Sequence, residues 1–167
     1  MTRVRFEERQ HFRQRSIWAL LLLVAGLAWW ALVQQIVLGQ PFGSNPGPDW
    51  LVWLMWLLIG LGLPALFAWA QLRVTVTDES VLIRYVPFTR RAIPLAVILG
   101  ANAREYDAIR EYGGWGIKGW SRDKRAYNVS GSQGVELFLR DGRSVMLGSQ
   151  RAEELAGAIM AARDALP

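Results

Sequence analysis

The segment IWALLLLVAGLAWWALVQQIVL, residues 17–38, contains no charged side chain, and its only strongly polar residues are Gln34 and Gln35. A second uncharged run, WLVWLMWLLIGLGLPALFAWAQL, extends over residues 50–72. As a helix, each run is about 33 Å long, which matches the hydrocarbon core of a bilayer. Two transmembrane helices are therefore predicted over these ranges. Buried core helices are the alternative, but they seldom continue this far without a charge. A cleaved signal peptide fits poorly because the first run is too long and no A-x-A site follows it.

Basic residues are distributed unevenly around the two runs. The N-terminal segment, residues 1–16, carries five arginines, and Arg73 follows the second run directly. The connection over residues 39–49 has no Lys or Arg. Because the cytoplasmic loops of membrane proteins carry the excess of basic residues, both termini are predicted to be cytoplasmic. The loop over residues 39–49 is then external, and the protein is placed in a cell inner membrane.

The overall charge and composition argue against several classes of function. The chain has 167 residues, 19 Lys and Arg against 14 Asp and Glu, one histidine and no cysteine. Without cysteine it has neither a disulfide framework nor thiolate chemistry. Nucleic-acid binding is not expected, because five of the basic residues precede the first run, where topology accounts for them. The remaining basic excess lies next to an anionic leaflet, which itself attracts basic segments.

Beyond residue 72 the apolar residues recur at every second position, as in β-strands. They are Val74 and Val76 in a first strand and Val81, Ile83 and Tyr85 in a second. The intervening turn, DES, makes these two strands a predicted hairpin. The run AIPLAVI, residues 92–98, is predicted to be a short strand interrupted at Pro94, at a sheet edge or a bulge. Residues 102–124 are predicted to be irregular.

Regular structure is predicted again from AYNVSGSQGVELFLRDGRSVMLGSQ, residues 126–150. Asp141-Gly142 is a two-residue hairpin signal, and the residues facing one core on either side are Val135, Leu137, Leu139, Val145 and Leu147. A final helix is predicted with Ser149 as its cap and Glu153 and Glu154 in its first turns. Its apolar stripe is Leu155, Ile159, Ala162 and Leu166. Strands followed by one amphipathic helix predict an α+β domain over residues 73–167, a pleckstrin-homology-like (PH-like) bent antiparallel barrel of about seven strands capped by a C-terminal helix.

The chain resembles small bacterial membrane proteins that carry a PH-like domain after two transmembrane helices. The resemblance rests on FEERQHF before the first run, the hairpins VTVTDESVLIRYVPFTRRAIPL, EYGGWGIKG, AYNVSGSQGVELFLRDGRSVMLGSQ and the helix start AEEL. It covers nearly the whole chain, and GGWGIKG with AYNVSG is its most specific part. It implies a fold and a topology but no activity, and it carries over no functional residues.

The motifs of enzymes are not matched by this sequence. Gly114, Gly116 and Gly119 spell G-x-G-x-x-G, but a dinucleotide site needs a strand before this motif and a helix opening after it. The residues that follow are polar and show no helical pattern. No buried carboxylate pair, nucleophile elbow or metal-ligand cluster stands out. Neither a catalytic residue, a cofactor nor a metal is therefore predicted.

The glycine- and tryptophan-rich loop offers a candidate contact surface for the membrane or a partner. Aromatic rings interleaved with Lys and Arg suit a surface half in lipid headgroups and half in water. The predicted contact residues in and after this loop are Trp115, Lys118, Trp120, Arg122, Lys124 and Arg125. A second tip, the PFTRR turn, adds Phe88, Arg90 and Arg91. Alternatively Trp115 packs over the mouth of the barrel, and the glycines let the chain pass close by.

These features predict an integral membrane protein with a cytoplasmic, non-catalytic binding or scaffolding module. Its predicted partners are the lipid bilayer, anionic headgroups, and a membrane-protein partner or a second copy of the chain. An accessory subunit of a larger membrane complex is the alternative, and an enzyme acting at the membrane is a further one.

Overall fold

The computed structural model describes residues 3–119 and 124–166. The chain divides into a helical unit, Arg13–Trp69, and a discontinuous unit, called the β unit below, made of Met1–Phe12 and Ala70–Pro167. The N-terminal segment therefore belongs to the same compact unit as the C-terminal domain, although the whole helical unit separates them in the sequence.

The helical unit contains two long apolar stretches. The first comprises α1, Arg15–Leu32, and a π-helical segment, Val33–Val37. The second comprises α2, Asp49–Met55, a π-helical segment, Trp56–Gly62, and α3, Leu63–Trp69. The stretches contact each other through Trp29 and Trp56, whose rings meet edge to face with centroids 5.2 Å apart.

Both stretches, Arg15–Val37 and Asp49–Trp69, are long and apolar enough to span a membrane. In their most apolar parts only 17% and 6% of the residues are buried within the chain, whereas the core helices of a soluble protein are mostly buried. The second stretch ends three residues before the predicted limit at residue 72. The reason is that Gln71 and Leu72 already pair in a β-sheet.

The first sheet of the β unit is an antiparallel meander of four strands in the order β1-β2-β3-β4. These strands are β1, Val4–His11, β2, Gln71–Thr77, β3, Ser80–Val86, and β4, Thr89–Pro94. The predicted hairpin is confirmed, since the alternating apolar residues of β2 and β3 are all buried. Strand β1 was not predicted, because its inward positions include the polar residues Glu8 and Gln10 beside Phe6.

The second sheet has the order β5-β8-β9-β7-β6. Its strands are β5, Ile98–Glu105, β6, Gly116–Lys118, β7, Lys124–Asn128, β8, Gln133–Leu139, and β9, Ser144–Gly148. Strands β8 and β9 form the predicted hairpin around Asp141-Gly142. Strand β7 runs parallel to β9, whereas the other pairs are antiparallel. The α+β class is therefore correct, but the described residues form nine strands in two sheets, and one pair is parallel.

Two local predictions need correction. The strand predicted over residues 92–98 does stop at Pro94 and does lie at a sheet edge, but it is two strands in different sheets, because β4 ends at Pro94 and a 3₁₀ turn, Leu95–Val97, leads into β5. The described part of residues 102–124 is not irregular, since it holds the end of β5, helix α4, Ala108–Tyr112, and β6. Helix α4 has only five residues, which is too short to show a helical period in the sequence.

The last helix, α5, Ala152–Asp164, packs on the strands with Leu155 and Ile159 fully buried. Its predicted cap was wrong, because the helix begins after Arg151 without a side-chain cap. The hydroxyl oxygen of Ser149 instead accepts the Arg151 N–H at 3.0 Å, and the hydroxyl itself donates to Glu8.

Candidate interaction surface

The two most specific sequence motifs, GGWGIKG and AYNVSG, bind each other. Strands β6 and β7 pair antiparallel, with Gly116 opposite Asn128. The Gly116 N–H donates to Asn128 Oδ1 at 2.8 Å, and the asparagine is fully buried. The Trp115 indole N–H donates to the carbonyl oxygen of Gly131 at 3.3 Å. The motifs are therefore the two halves of one folded element, inserted between β5 and β8.

Glycine is required at both ends of the first motif. Gly113 ends α4 in the left-handed conformation, with φ of 75°, which glycine adopts without steric cost. At Gly119 a Cβ atom would lie 2.8 Å from the carbonyl oxygen of Lys124, so a side chain there would force the backbone apart. The three glycines of the G-x-G-x-x-G spacing, Gly114, Gly116 and Gly119, all have positive φ, so the spacing reflects the backbone of a tight connection.

Trp115 is partly buried against a small second core of the β unit. The residues of this core are Tyr106, Ala108, Tyr112, Ala126 and Met146. Two of them, Tyr106 and Tyr112, meet edge to face with ring centroids 5.9 Å apart. Of the two interpretations of Trp115, this geometry favours packing against the protein.

An ion-pair network fixes α4 against the second sheet. Arg104 contacts Glu111 at 2.8 Å and Glu136 at 2.7 Å. The hydrogen bond from Arg104, which outweighs partial desolvation, lowers the pKa of the Glu111 carboxyl below 4.5. The same hydrogen bond is the main reason why the pKa of Arg104 is raised. Both carboxylates are paired with one guanidinium, so their role here is structural.

Among the described residues, the predicted basic side chains of the loop, Lys118, Lys124 and Arg125, do not form one cluster. Lys118 is partly buried on β6, and its stem passes close to Gly114 and Gly116. Lys124 and Arg125 are exposed on β7 but are consecutive, so their side chains leave opposite faces of the strand. The predicted contact residues Trp120 and Arg122 lie outside the described residues.

The predicted contact residues of the PFTRR turn, Phe88, Arg90 and Arg91, do not share one surface either. Phe88 is 58% exposed at the β3–β4 turn. Arg91 donates to the Tyr127 hydroxyl at 3.4 Å, which joins β4 to the strand that carries AYNVSG. Arg90 precedes it directly and projects from the other face of β4. Only Arg91 is therefore brought to the loop element.

Sequence reasoning missed three arginines that share a face with Arg90. Cross-strand pairing sets Arg9 opposite Arg73, Arg73 opposite Arg84, and Arg84 opposite Arg90. These four residues are called the arginine row below. Each one lies between inward-facing neighbours, so its outward orientation could have been read from the two-residue period. The alignment of the four depends on strand register, which the sequence does not reveal.

Within the described ranges, no group of three or more His, Asp or Glu side chains is placed to hold a metal ion.

Comparison with known proteins finds one family. The model of DUF6141, described as a family of unknown function, matches residues 1–166. No curated protein matches this chain.

Proposed function

The chain belongs to the DUF6141 family, and on that premise we propose that it is an integral membrane protein carrying a non-catalytic binding or scaffolding module on the cytoplasmic side. The helical unit is the anchor in this proposal, and the β unit is the module.

The observation that carries the proposal is the pairing of the two strands that flank the helical unit. Strand β1 precedes the first apolar stretch and β2 follows the second, and His11 lies opposite Gln71 where the two strands meet the helices. A chain that leaves a sheet, crosses a bilayer and returns to the same sheet must cross an even number of times. Two spans satisfy this condition, and both ends of the helical unit then lie on one side of the bilayer.

Orientation is inferred from the basic residues. Four arginines precede the first stretch, Arg15 is its first residue, and Arg73 follows the second, whereas the connection over residues 38–48 has no Lys or Arg. This distribution supports a cytoplasmic β unit and an external connection. In a cell with two membranes, a protein with this orientation lies in the inner membrane.

The order of the strands supports a PH-like module. Seven strands form two antiparallel meanders, β1-β2-β3-β4 and β5-β8-β9, and α5 follows them and packs on both sheets. This is the arrangement of about seven strands and a closing helix inferred for such a module. The remaining strands, β6 and β7, belong to the inserted loop element, which extends the second meander at its β9 edge.

An accessory subunit of a larger membrane complex is the alternative, and Trp30 favours it. Trp29 packs on Trp56 within the chain, whereas Trp30, about 10 Å inside the end of the first stretch, is 62% exposed. A tryptophan this far from the headgroups is suited to packing against a span of another protein. Co-purification of a larger membrane protein in mild detergent, lost on Trp30→Ala and kept on Leu22→Ala, would support this alternative.

The main proposal is tested by fractionation and topology mapping. The protein should remain in the membrane pellet after alkaline carbonate washing, which removes peripheral proteins. A reporter inserted near Ser44 should report the external side, and a reporter fused after the last residue should report the cytoplasm. Recovery in the soluble fraction, or a cytoplasmic reporter at Ser44, would refute the proposal.

A further inference from the structure

The arginine row concentrates positive charge on the outer face of the first sheet. Neighbouring strands lie about 4.8 Å apart, so four arginines in register occupy a line about 14 Å long. Arg9 pairs with Glu7 at 2.9 Å, and Arg73 donates to the side-chain oxygen of Gln71 at 3.1 Å. Arg84 and Arg90 are exposed and have no acidic partner among the described residues. The row therefore presents four positive charges against one carboxylate.

The surroundings of the row do not offset this charge. On one side the outward positions are Glu7, Thr75, Leu82 and Ala92, and on the other they are His11, Gln71 and Val86. Like charges directly opposite each other on neighbouring strands destabilise a sheet. A register that aligns four arginines lowers the stability of the isolated module, and an anion bound along the row would reverse that effect.

The chain path indicates where such an anion comes from. Arg73 follows Trp69, the last residue of the second apolar stretch, by only four positions. Four residues span at most about 14 Å even when fully extended, so the chain itself limits how far Arg73 can lie from the end of the second apolar stretch. Guanidinium groups bind phosphate oxygens through paired hydrogen bonds, and the cytoplasmic leaflet carries anionic phospholipids.

We propose that the arginine row binds the headgroups of anionic phospholipids in the leaflet next to the β unit. This inference rests on the proposed membrane anchoring, and it adds a site that holds one face of the β unit against the bilayer. The loop element is then left available for a partner other than the membrane.

The experiment uses the full-length chain reconstituted in lipid nanodiscs. One preparation contains phosphatidylcholine only, and the other contains phosphatidylcholine with phosphatidylglycerol. Amide hydrogen exchange is measured over β3 and β4. Anionic lipid should slow this exchange, and added salt should reduce the effect. Replacing an arginine with glutamine should weaken the protection by about fivefold per residue.

Matched variants separate the row from general charge effects. The double variant Arg84→Gln with Arg90→Gln should lose roughly 25-fold of the protection by anionic lipid. The corresponding lysine pair keeps the charge but not the paired hydrogen bonds, so it should keep only part of the protection. Arg110→Gln with Arg140→Gln removes the same charge elsewhere on the β unit and should leave the lipid effect unchanged.

Three outcomes would overturn the inference. The first is exchange over β3 and β4 that is equal in the two lipid compositions. The second is equal protection in phosphatidylcholine discs by added inorganic phosphate or by a short DNA duplex, which would make the row a site for a soluble anion. The third is an equal loss in both double-glutamine variants. Failure of the chain to incorporate into nanodiscs would refute the membrane anchoring as well. Incorporation without an effect of anionic lipid would refute only the binding of headgroups by the arginine row.

Discussion

Replacing Glu8 with alanine should destabilise the β unit, because this side chain ties the N-terminal strand to the start of the last helix. Glu8 is only 8% exposed. Its carboxylate accepts a hydrogen bond from the Ser149 hydroxyl at 2.6 Å and another from the Gln150 N–H at 2.9 Å. Two residues further along β1, Gln10 donates to the carbonyl oxygen of Gly148 at 2.7 Å.

The expected loss follows from the two hydrogen bonds to the carboxylate. Hydrogen bonds to charged groups contribute about 1.5–3 kcal/mol each, and buried donors left without partners lose this contribution. Allowing for water that enters the space, Glu8→Ala should lower the free energy of unfolding by about 3 kcal/mol. For a unit of this size the Tm should fall by roughly 10–20 °C.

The assay is thermal unfolding of the full-length protein in detergent micelles, followed by the strand band of the infrared spectrum, which the helices do not obscure. Glu8→Gln is the conservative variant, since its amide oxygen can still accept the Gln150 N–H, and it should lose about half as much. Glu79→Ala, at an exposed turn, should change stability by less than about 0.5 kcal/mol. If Glu8→Ala lowered the stability no more than Glu79→Ala, strand β1 would not be docked on the sheet. The argument that the chain leaves and re-enters the same sheet would then fail.

Three further tests address the loop element, the sheet and the ion pairs by the same unfolding assay, the first two with a control substitution. Trp115→Ala should lower the free energy of unfolding by about 2 kcal/mol. Ile117 is 41% exposed, so Ile117→Ala should lower it by less than about 1 kcal/mol. Equal, small losses in the two variants would contradict packing of the Trp115 ring on the protein. Gly134→Ala should cost about 2 kcal/mol because its Cβ would lie 2.5 Å from a carbonyl oxygen of β9, whereas Gly157→Ala, with open space around it in α5, should stabilise by up to about 1 kcal/mol. The pKa of Glu111 is lowered by Arg104, so this pair stabilises the fold above about pH 4.5 and loses its contribution as the pH falls through the lowered pKa. Glu111→Gln should therefore reduce the acid sensitivity of the Tm, and an unchanged pH profile would contradict the role of the pair.

Local patterns in the sequence determined the parts of this protein that depend on neighbouring residues. The uncharged runs over residues 17–38 and 50–72 are long enough for a bilayer whatever they pack against. The β2–β3 and β8–β9 hairpins follow from two-residue alternation and short turns. Helix α5 follows from its stripe of Leu155 and Ile159. The importance of the GGWG loop was also visible, since glycine next to tryptophan indicates either tight packing or a contact surface.

Only the tertiary structure decided which distant segments pair. Residues of strand β1 pair with residues 60 to 73 positions away, and the polar residues Glu8 and Gln10 on its inward face hide its period. Asn128 becomes important because Gly116 lies opposite it, and the arginine row exists only because the register of β1 to β4 aligns its members. Register and long-range pairing are set by burial and hydrogen bonding summed over whole strands, so no short stretch of sequence carries the information needed to predict them.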